Sequence, residues 1–312
     1  MEQDVEKQLV FLKSNLICMS VVKSRVPVSV IVVNWKTPDL TCKALAALYN
    51  STVVPEQVIM VDNASGDETV ARVRQEFPDV IILENQENVG FARANNQAIR
   101  QLVNQPYVWL LNSDTETGVK SLEQLFEYIE AHPRVGAVGP QLVYPTRAWQ
   151  SVGGFFPSPI NVLYYLLPFT WFFPVAWRQR LHSIALYPQP IPAAGFDFDY
   201  VTGAAVLLRR AALDEVGLLA EEYFMYFEET DLCWRLKQAG WKRRVIPTEP
   251  VMHVYGGSYK TKYDPHRLQR MLSSLILFVN KNYHGPRRWI IVAEVKLFGA
   301  LSLLLKRIKN WL

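Results

Sequence analysis

The sequence predicts an α/β domain: a mostly parallel central sheet with helices flanking it. Three observations carry this expectation. Short β-branched runs alternate with stretches of helical periodicity, the pattern of βαβ units. The 312 residues are 50% hydrophobic and only 20% charged, enough to bury one large core and too apolar for a disordered chain. The polar residues that interrupt the apolar runs gather where strands end, which is where open α/β sheets bind ligands.

The elements follow in order. "VSVIVV" (28–33) is a β-branched strand, and a helix runs from Pro38 to about Asn50. "QVIMVD" (57–62) is a second strand, and "GDETVARVRQEF" (66–77) a helix with acidic residues in its first turn. "VIILE" (80–84), a helix over 89–103 and "YVWLL" (107–111) complete the regular half. Further on, "YVTGAAVLLRR" (200–210) reads as a strand and "AALDEVG" as a short helix stopped by Gly217. Thr230 or Asp231 is expected to cap a helix that reaches about Ala239 and ends at Gly240. "KRRVIP" and "PVMHV" are two more strands, and 264–283 is an amphipathic helix.

Several classes are excluded early. Cys18, Cys42 and Cys233 are odd in number and far apart, with no CxxC pair, so neither a zinc site nor a disulfide framework is expected. A reducing compartment fits. The N-terminus opens with Glu2, Asp4 and Glu6, and Lys13 and Asn15 break its apolar stretch, unlike a signal peptide. No long uncharged apolar run announces a spanning helix. The formal charge of +4 is too small to argue for nucleic acid.

The strand ends hold the chemistry. Strand one ends at Asn34-Trp35, strand two at Asp62-Asn63, strand four at Asn112-Ser113-Asp114. One such Asx residue is as readily a turn former; three at one edge favour a site. Neither G-x-G-x-x-G nor G-x-x-x-x-G-K-[ST] is present, so a bound phosphate needs another neutraliser. A divalent cation with oxygen ligands serves. Asp114 is the natural ligand, and Asn112, an uncharged amide, a weaker one.

Seven segments, in this order, resemble an inverting family 2 glycosyltransferase of GT-A fold, in its rhamnosyltransferase-like branch. They are "VSVIVVNW", "VDNASGDET", "ENVGFARANNQAI", "LLNSDTE", "VTGAAVLLRR", "EEYFMYFEETDLCWRLKQAGW" and "HVYGGS", spanning about residues 27–260. The resemblance implies an N-terminal extension over 1–26, a GT-A domain over 27–260 with an insertion at 159–195, and C-terminal helices over 261–312. It puts Asp62, with Asn34 and Asn63, on the nucleotide, and makes Asn88, Gly90, Arg93 and Asn95 the segment that closes over it. The ordinary alternative for Arg93 and Asn95 is a solvated helix face. It implies Mn²⁺ or Mg²⁺ held by Asp114, with His253 approaching the same ion; an imidazole ligand suits manganese.

By the same resemblance, an acceptor hydroxyl attacks the anomeric carbon opposite the diphosphate, and a carboxylate removes its proton. Glu229 is the expected base, although the family's usual residue there is Asp. Asp231 is expected to orient the acceptor or simply to cap the helix. Carboxylates crowded as in "EETD" raise one another's pKa, and Arg235 stands one turn after Asp231. Tyr223, Phe224, Tyr226, Phe227 and Trp234 form either an acceptor-stacking platform or a core stripe.

The stretches 159–180 and 287–312 are rich in aromatic and aliphatic residues flanked by Arg and Lys, which suits a membrane interface. Docking on the domain and a homodimer contact are the alternatives for the second. The implied partners are a dTDP- or UDP-sugar donor and a glycan or polyprenyl-linked acceptor in cell-surface polysaccharide synthesis. The implied location is the cytoplasmic face of the inner membrane. A non-catalytic nucleotide- or sugar-binding subunit of a polysaccharide assembly complex is the rival reading. A nucleotidyltransferase would want a glycine-rich basic loop after strand one, and "NWKTPDL" does not supply it.

Overall fold

The computed structural model of the chain describes residues 23–166, 191–254 and 265–309. Its first half runs β1 (Ser24–Asn34), α1 (Pro38–Tyr49), β2 (Val53–Asp62), α2 (Thr69–Glu76), β3 (Ile81–Glu84), α3 (Phe91–Gln101) and β4 (Tyr107–Asn112). Next come β5 (Thr115–Glu116), α4 (Ser121–Ala131), β6 (Val135–Gly139), β7 (Leu142–Val143), β8 (Gly153–Gly154) and α5 (Pro159–Leu166). The last third holds β9 (Phe196–Asp197), β10 (Tyr200–Val201), β11 (Ala205–Arg209), α6 (Arg210–Val216), α7 (Glu228–Gln238), β12 (Lys242–Val245), β13 (Val251–His253), α8 (Pro265–Asn282) and α9 (Gly285–Lys309).

The main sheet has the order β3-β2-β1-β4-β11-β6-β12-β9. From β3 to β4 every pairing is parallel. Val28, Val30, Ile31 and Val32 of β1 have no exposed surface. A strand covered on both faces reads as an unbroken apolar run, which is why it was legible. Beyond β4 the sheet is mixed, because β11 pairs antiparallel with both β4 and β6, and β9 antiparallel with β12. Strand β11 enters after the long excursion through β5–β10, from the opposite end of the sheet. A pattern of short apolar runs carries no record of that direction. The strand expected over 200–210 is broken: β10 pairs with β8 in a separate ribbon, and β11 alone joins the main sheet.

Two helix starts differ from expectation. Helix α2 begins at Thr69, because Asp67 turns back to accept from the Thr69 N–H (2.9 Å) and hydroxyl; no acid lies in its first turn. Helix α7 begins at Glu228, and neither Thr230 nor Asp231 caps it. Its N-terminal neighbours Tyr226 and Phe227 both take left-handed φ, +71° and +72°. Two such non-glycine residues in succession cost about 1–3 kcal/mol each and persist only where the surroundings hold them.

A second apolar core joins α5, α7, α8 and α9 around Phe156, Tyr223, Phe278, Ile291 and Val295. Phe227 and Trp234 pack against it. The core-stripe alternative therefore holds for Tyr223, Phe227 and Trp234, and the large ring left exposed is that of Phe224 (43%). Cys42 and Cys233 are buried thiols. Cys18 and the N-terminal acids, the part of the 159–180 stretch beyond residue 166, and the last residues of "HVYGGS" lie outside the described residues.

Candidate active site

The parallel half of the sheet sets one edge. Asn34 pairs in register with Asp62, and the neighbouring Val33 with Asn112, so β1, β2 and β4 end side by side. Asn34 Nδ2 donates to Asp62 Oδ1 (2.7 Å) and Ser65 Oγ (2.9 Å), while its Oδ1 accepts from the Thr37 and Thr41 hydroxyls (2.7 and 2.8 Å). Left-handed turns at Lys36 and Ala64 make this possible. They return the chain so that Ser65 donates its N–H and hydroxyl to Asp62 and accepts from the Lys36 N–H. Thr37 also meets Ser113 (3.1 Å), which ties the cluster to the turn carrying Asp114. The hydroxyls of Thr37 and Thr41 gave no signal in the sequence, being ordinary residues at the start of α1.

A second knot holds the segment after β3. Asn63 donates to Asn88 Oδ1 (2.8 Å) and accepts from the Asn85 amide and the Val89 N–H (both 3.1 Å). Gly90 has φ +85°, and a Cβ there would stand 2.5 Å from the Phe224 carbonyl oxygen. Only glycine permits that approach. The adjacent Phe91 N–H donates to the same carbonyl (2.9 Å). Arg93 faces Glu221 at 3.8 Å, beside Arg100 on the same carboxylate. Asn95 is 1% exposed and donates to the Phe91 carbonyl, which places it inside the fold. Its neighbour Asn96, not singled out from the sequence, clasps Leu219 and Glu221.

Asp114 and His253 come together across a small sheet of order β5-β13-β7. His253 pairs with Thr115, and its Nε2 lies 3.2 Å from Asp114 Oδ1. The other ring nitrogen, Nδ1, faces Gln150 Oε1 at 3.1 Å. An imidazole oriented by a second polar group is the usual arrangement for a metal-binding histidine. A carboxylate oxygen and an imidazole nitrogen about 3 Å apart also suit neighbouring positions on one divalent ion, whose bonds are roughly 2.1 Å long. The pair fits such an ion with the rest of its ligands supplied by a diphosphate and water. Among the described residues no three His, Cys, Asp or Glu side chains converge as a complete protein cage.

On the other wall stand the carboxylates of α7. Glu229 is half-buried and burial raises its pKa. Glu228 is buried, its Oε2 meets no hydrogen-bond donor among the described residues, and burial followed by the charge of Glu229 pushes its pKa well up. Asp231 has no exposed surface. It pairs with Arg235 (2.9 Å) and Lys281 (3.1 Å), and Arg235 donates onward to the carbonyls of residues 216–218. Asp231 thus ties α7 to α8 through Lys281. The two walls meet at Gly203–Ala204. The Asn112 N–H donates to the Ala204 carbonyl (2.9 Å), and the Cβ position of Gly203 lies 3.7 Å from Glu229 Cβ.

Residues 29–217 match the family model described as "Glycosyl transferase family 2". The chain belongs to that family. This glycosyltransferase is 29% identical, over 81% of its length and 85% of the relative's, to an N-acetylglucosaminyl-diphospho-decaprenol L-rhamnosyltransferase of Mycobacterium tuberculosis. It is 24% identical, over 67% of its length and 61% of the relative's, to a low-salt glycan biosynthesis hexosyltransferase, Agl10, of Haloferax volcanii. Among solved structures, the glycosyltransferase superposes with a TM-score of 0.57 on a mannosyltransferase from Pyrobaculum calidifontis in complex with GDP-Man and Mn²⁺. That likeness covers 96% of this chain and 82% of the other at 16% identity, and it shows the shared GT-A fold.

Proposed function

We propose that the protein transfers a sugar, rhamnose being the first choice, from a dTDP- or UDP-sugar to a lipid-linked glycan acceptor with inversion at the anomeric carbon. The observation that carries this reading is the meeting of two unlike walls at Gly203–Ala204, with the Asp114–His253 pair beyond one and Glu229 on the other. The donor's nucleotide lies along the edge formed by Asn34, Asp62 and Asn63, beneath the Asn88–Gly90 segment. Asp114 and His253 would hold Mn²⁺ or Mg²⁺, which would neutralise the charge that develops on the departing diphosphate.

Glu229 accepts the proton of the attacking hydroxyl. Its raised pKa suits this task, since a carboxylate that holds its proton more tightly is a stronger base once ionised. The mannosyltransferase bound to Mn²⁺ and the decaprenol-linked substrate named for the mycobacterial relative support the metal and the lipid acceptor.

The C-terminal helix supports work at the cytoplasmic membrane face. Ile291 and Val295 of α9 are buried in the second core, while Trp289 (65%), Ile290 and Leu297 (67%) are exposed. Arg288 at its start and Lys306, Arg307 and Lys309 in the sequence beyond add the positive charge that anionic lipid attracts. No helix among the described residues is long and apolar enough to cross a membrane. The test is nucleotide release from a panel of dTDP- and UDP-sugars, with a diphospho-lipid sugar acceptor and Mn²⁺ or Mg²⁺. Product mass must increase by one sugar, and Asp114→Ala must abolish it. Metal-independent turnover, or no turnover with any donor, sinks the reading.

A further inference from the structure

A groove of about 380 Å³ opens between residues 222–225 and the solvent side of α8. We propose that it is the subsite for a neutral sugar ring of the acceptor, stacked on Phe224. The proposal rests on the glycosyl-transfer reading above and gives its acceptor a place.

The chemistry of the lining selects the ligand. Phe224 supplies an aromatic ring with 43% of its residue surface exposed. Sugars bury the apolar face of their ring against such a surface. Around it lie Gln269 and Ser273, both exposed on α8, together with Arg270 and Glu222. Amide, hydroxyl, guanidinium and carboxylate together offer both donors and acceptors, which is what a polyhydroxyl ligand requires. Both charges have partners: the Arg270 guanidinium lies over the Phe224 ring, 5.9 Å from its centre, and shares the ring with the sugar, while Glu222 is held 2.6 Å from Lys281. Each of these charges already has a partner, so the wall offers no free charge to hold a phosphate, and the ligand is the uncharged part of the acceptor.

The position of Phe224 is fixed by contacts that lead to the reaction centre. Its carbonyl accepts from Phe91 and abuts Gly90 of the donor-side segment, and Ser274 of α8 donates to the next carbonyl, that of Met225 (3.0 Å). The Phe91 ring in turn lies 3.5 Å from the Cβ position of Gly203, which borders Glu229. A ring on Phe224 thus sits one residue's contact from the donor segment, and the left-handed step at Tyr226–Phe227 leads from it directly to the base. Such a step is retained where geometry of this kind is needed.

Saturation-transfer NMR on the full chain, with UDP and Mg²⁺ present, tests the proposal. The probes are glucose, galactose, N-acetylglucosamine and glucose 1-phosphate. Phe224→Ala keeps the main-chain bonds, and Ser273→Trp fills the groove from an exposed position, so at least one variant folds; UDP binding checks this in each. The expected result is that a neutral sugar binds the wild type, and both variants weaken it about tenfold, the size of one lost aromatic contact. UDP affinity stays put. Equal sugar binding by wild type and variants overturns the proposal. So does the absence of binding by all three neutral sugars, or tighter binding of glucose 1-phosphate than glucose. If neither UDP nor dTDP binds the wild type, the donor reading falls, and the sugar signal with its two variants still decides the groove.

Discussion

The donor edge and the base wall of this glycosyltransferase are built on different principles. At the donor edge, neutral groups do the positioning. Asn34 and Ser65 donate to the carboxylate of Asp62, Thr37 and Thr41 hold Asn34, and strand register with the left-handed turns at Lys36 and Ala64 brings them together. At the base wall, charges do it. Asp231 is buried between Arg235 and Lys281, and Glu222 meets Lys281 from the other side. Lys281 belongs to α8, beyond the 29–217 that match the family model. The proposed donor site is thus a property of the sheet, whereas the proposed base follows a strained turn that the C-terminal helices clamp. A change in one wall should leave the other's function measurable.

The largest effect expected at the donor edge comes from Asp114→Ala. It should lower metal-dependent turnover by more than about 100-fold, since loss of even an outer partner of a metal ligand costs 10–100-fold. Titration with Mn²⁺ and nucleotide should show weakened joint binding. At the base wall, Asp231→Ala leaves Arg235 and Lys281 without their buried partner and should destabilise the protein by about 3 kcal/mol in urea unfolding. Lys281→Met, acting on a partly exposed side chain, should cost roughly 1 kcal/mol. It should also lower kcat while donor KM stays unchanged, with Lys281→Arg restoring most of it. If donor KM changes and kcat does not, the clamp does not serve the base.

Gly90→Ala sharpens the comparison because Gly90 joins the walls. The new Cβ meets the Phe224 carbonyl at 2.5 Å with φ at +85°, and the strained conformation costs about 1–3 kcal/mol. Both donor and acceptor KM should rise. The smallest effect concerns pH. The folded protein holds the Glu228 proton more tightly than the unfolded chain does. Below the ordinary glutamate pKa of about 4.3 both states are protonated and nothing is lost. As pH rises from there towards the higher folded value, the unfolded chain ionises first and the fold loses stability. Glu228→Gln should therefore raise Tm at pH 8 and leave it unchanged at pH 4; thermal unfolding at the two pH values checks this.

The same contrast decides what could be read from the sequence. Strands buried on both faces and ending in Asn or Asp announce themselves, so β1, β2, β4 and the edge of Asn34, Asp62 and Asp114 were legible. The partners that come from remote segments were not. Gln150 faces His253 from a loop without any motif, and Lys281 is one lysine among many on an amphipathic helix. Arg93 matched a motif, but its position on the exposed face of α3 sends it to Glu221. Asp231 has the composition of a helix cap, yet two left-handed residues start α7 three positions earlier and carry it into the core. Direction in a sheet, backbone strain and long-range charge pairing have no local pattern.

The central claim is that Glu229 removes the acceptor proton while the far wall holds the donor. Its most direct test is Glu229→Gln, with donor affinity and transfer rate measured on the same preparation. The account predicts that nucleotide-sugar affinity is unchanged and that transfer falls by about 10²–10⁴-fold, the contribution of a positioned base. Transfer within a few-fold of wild type, with donor affinity intact, would contradict it.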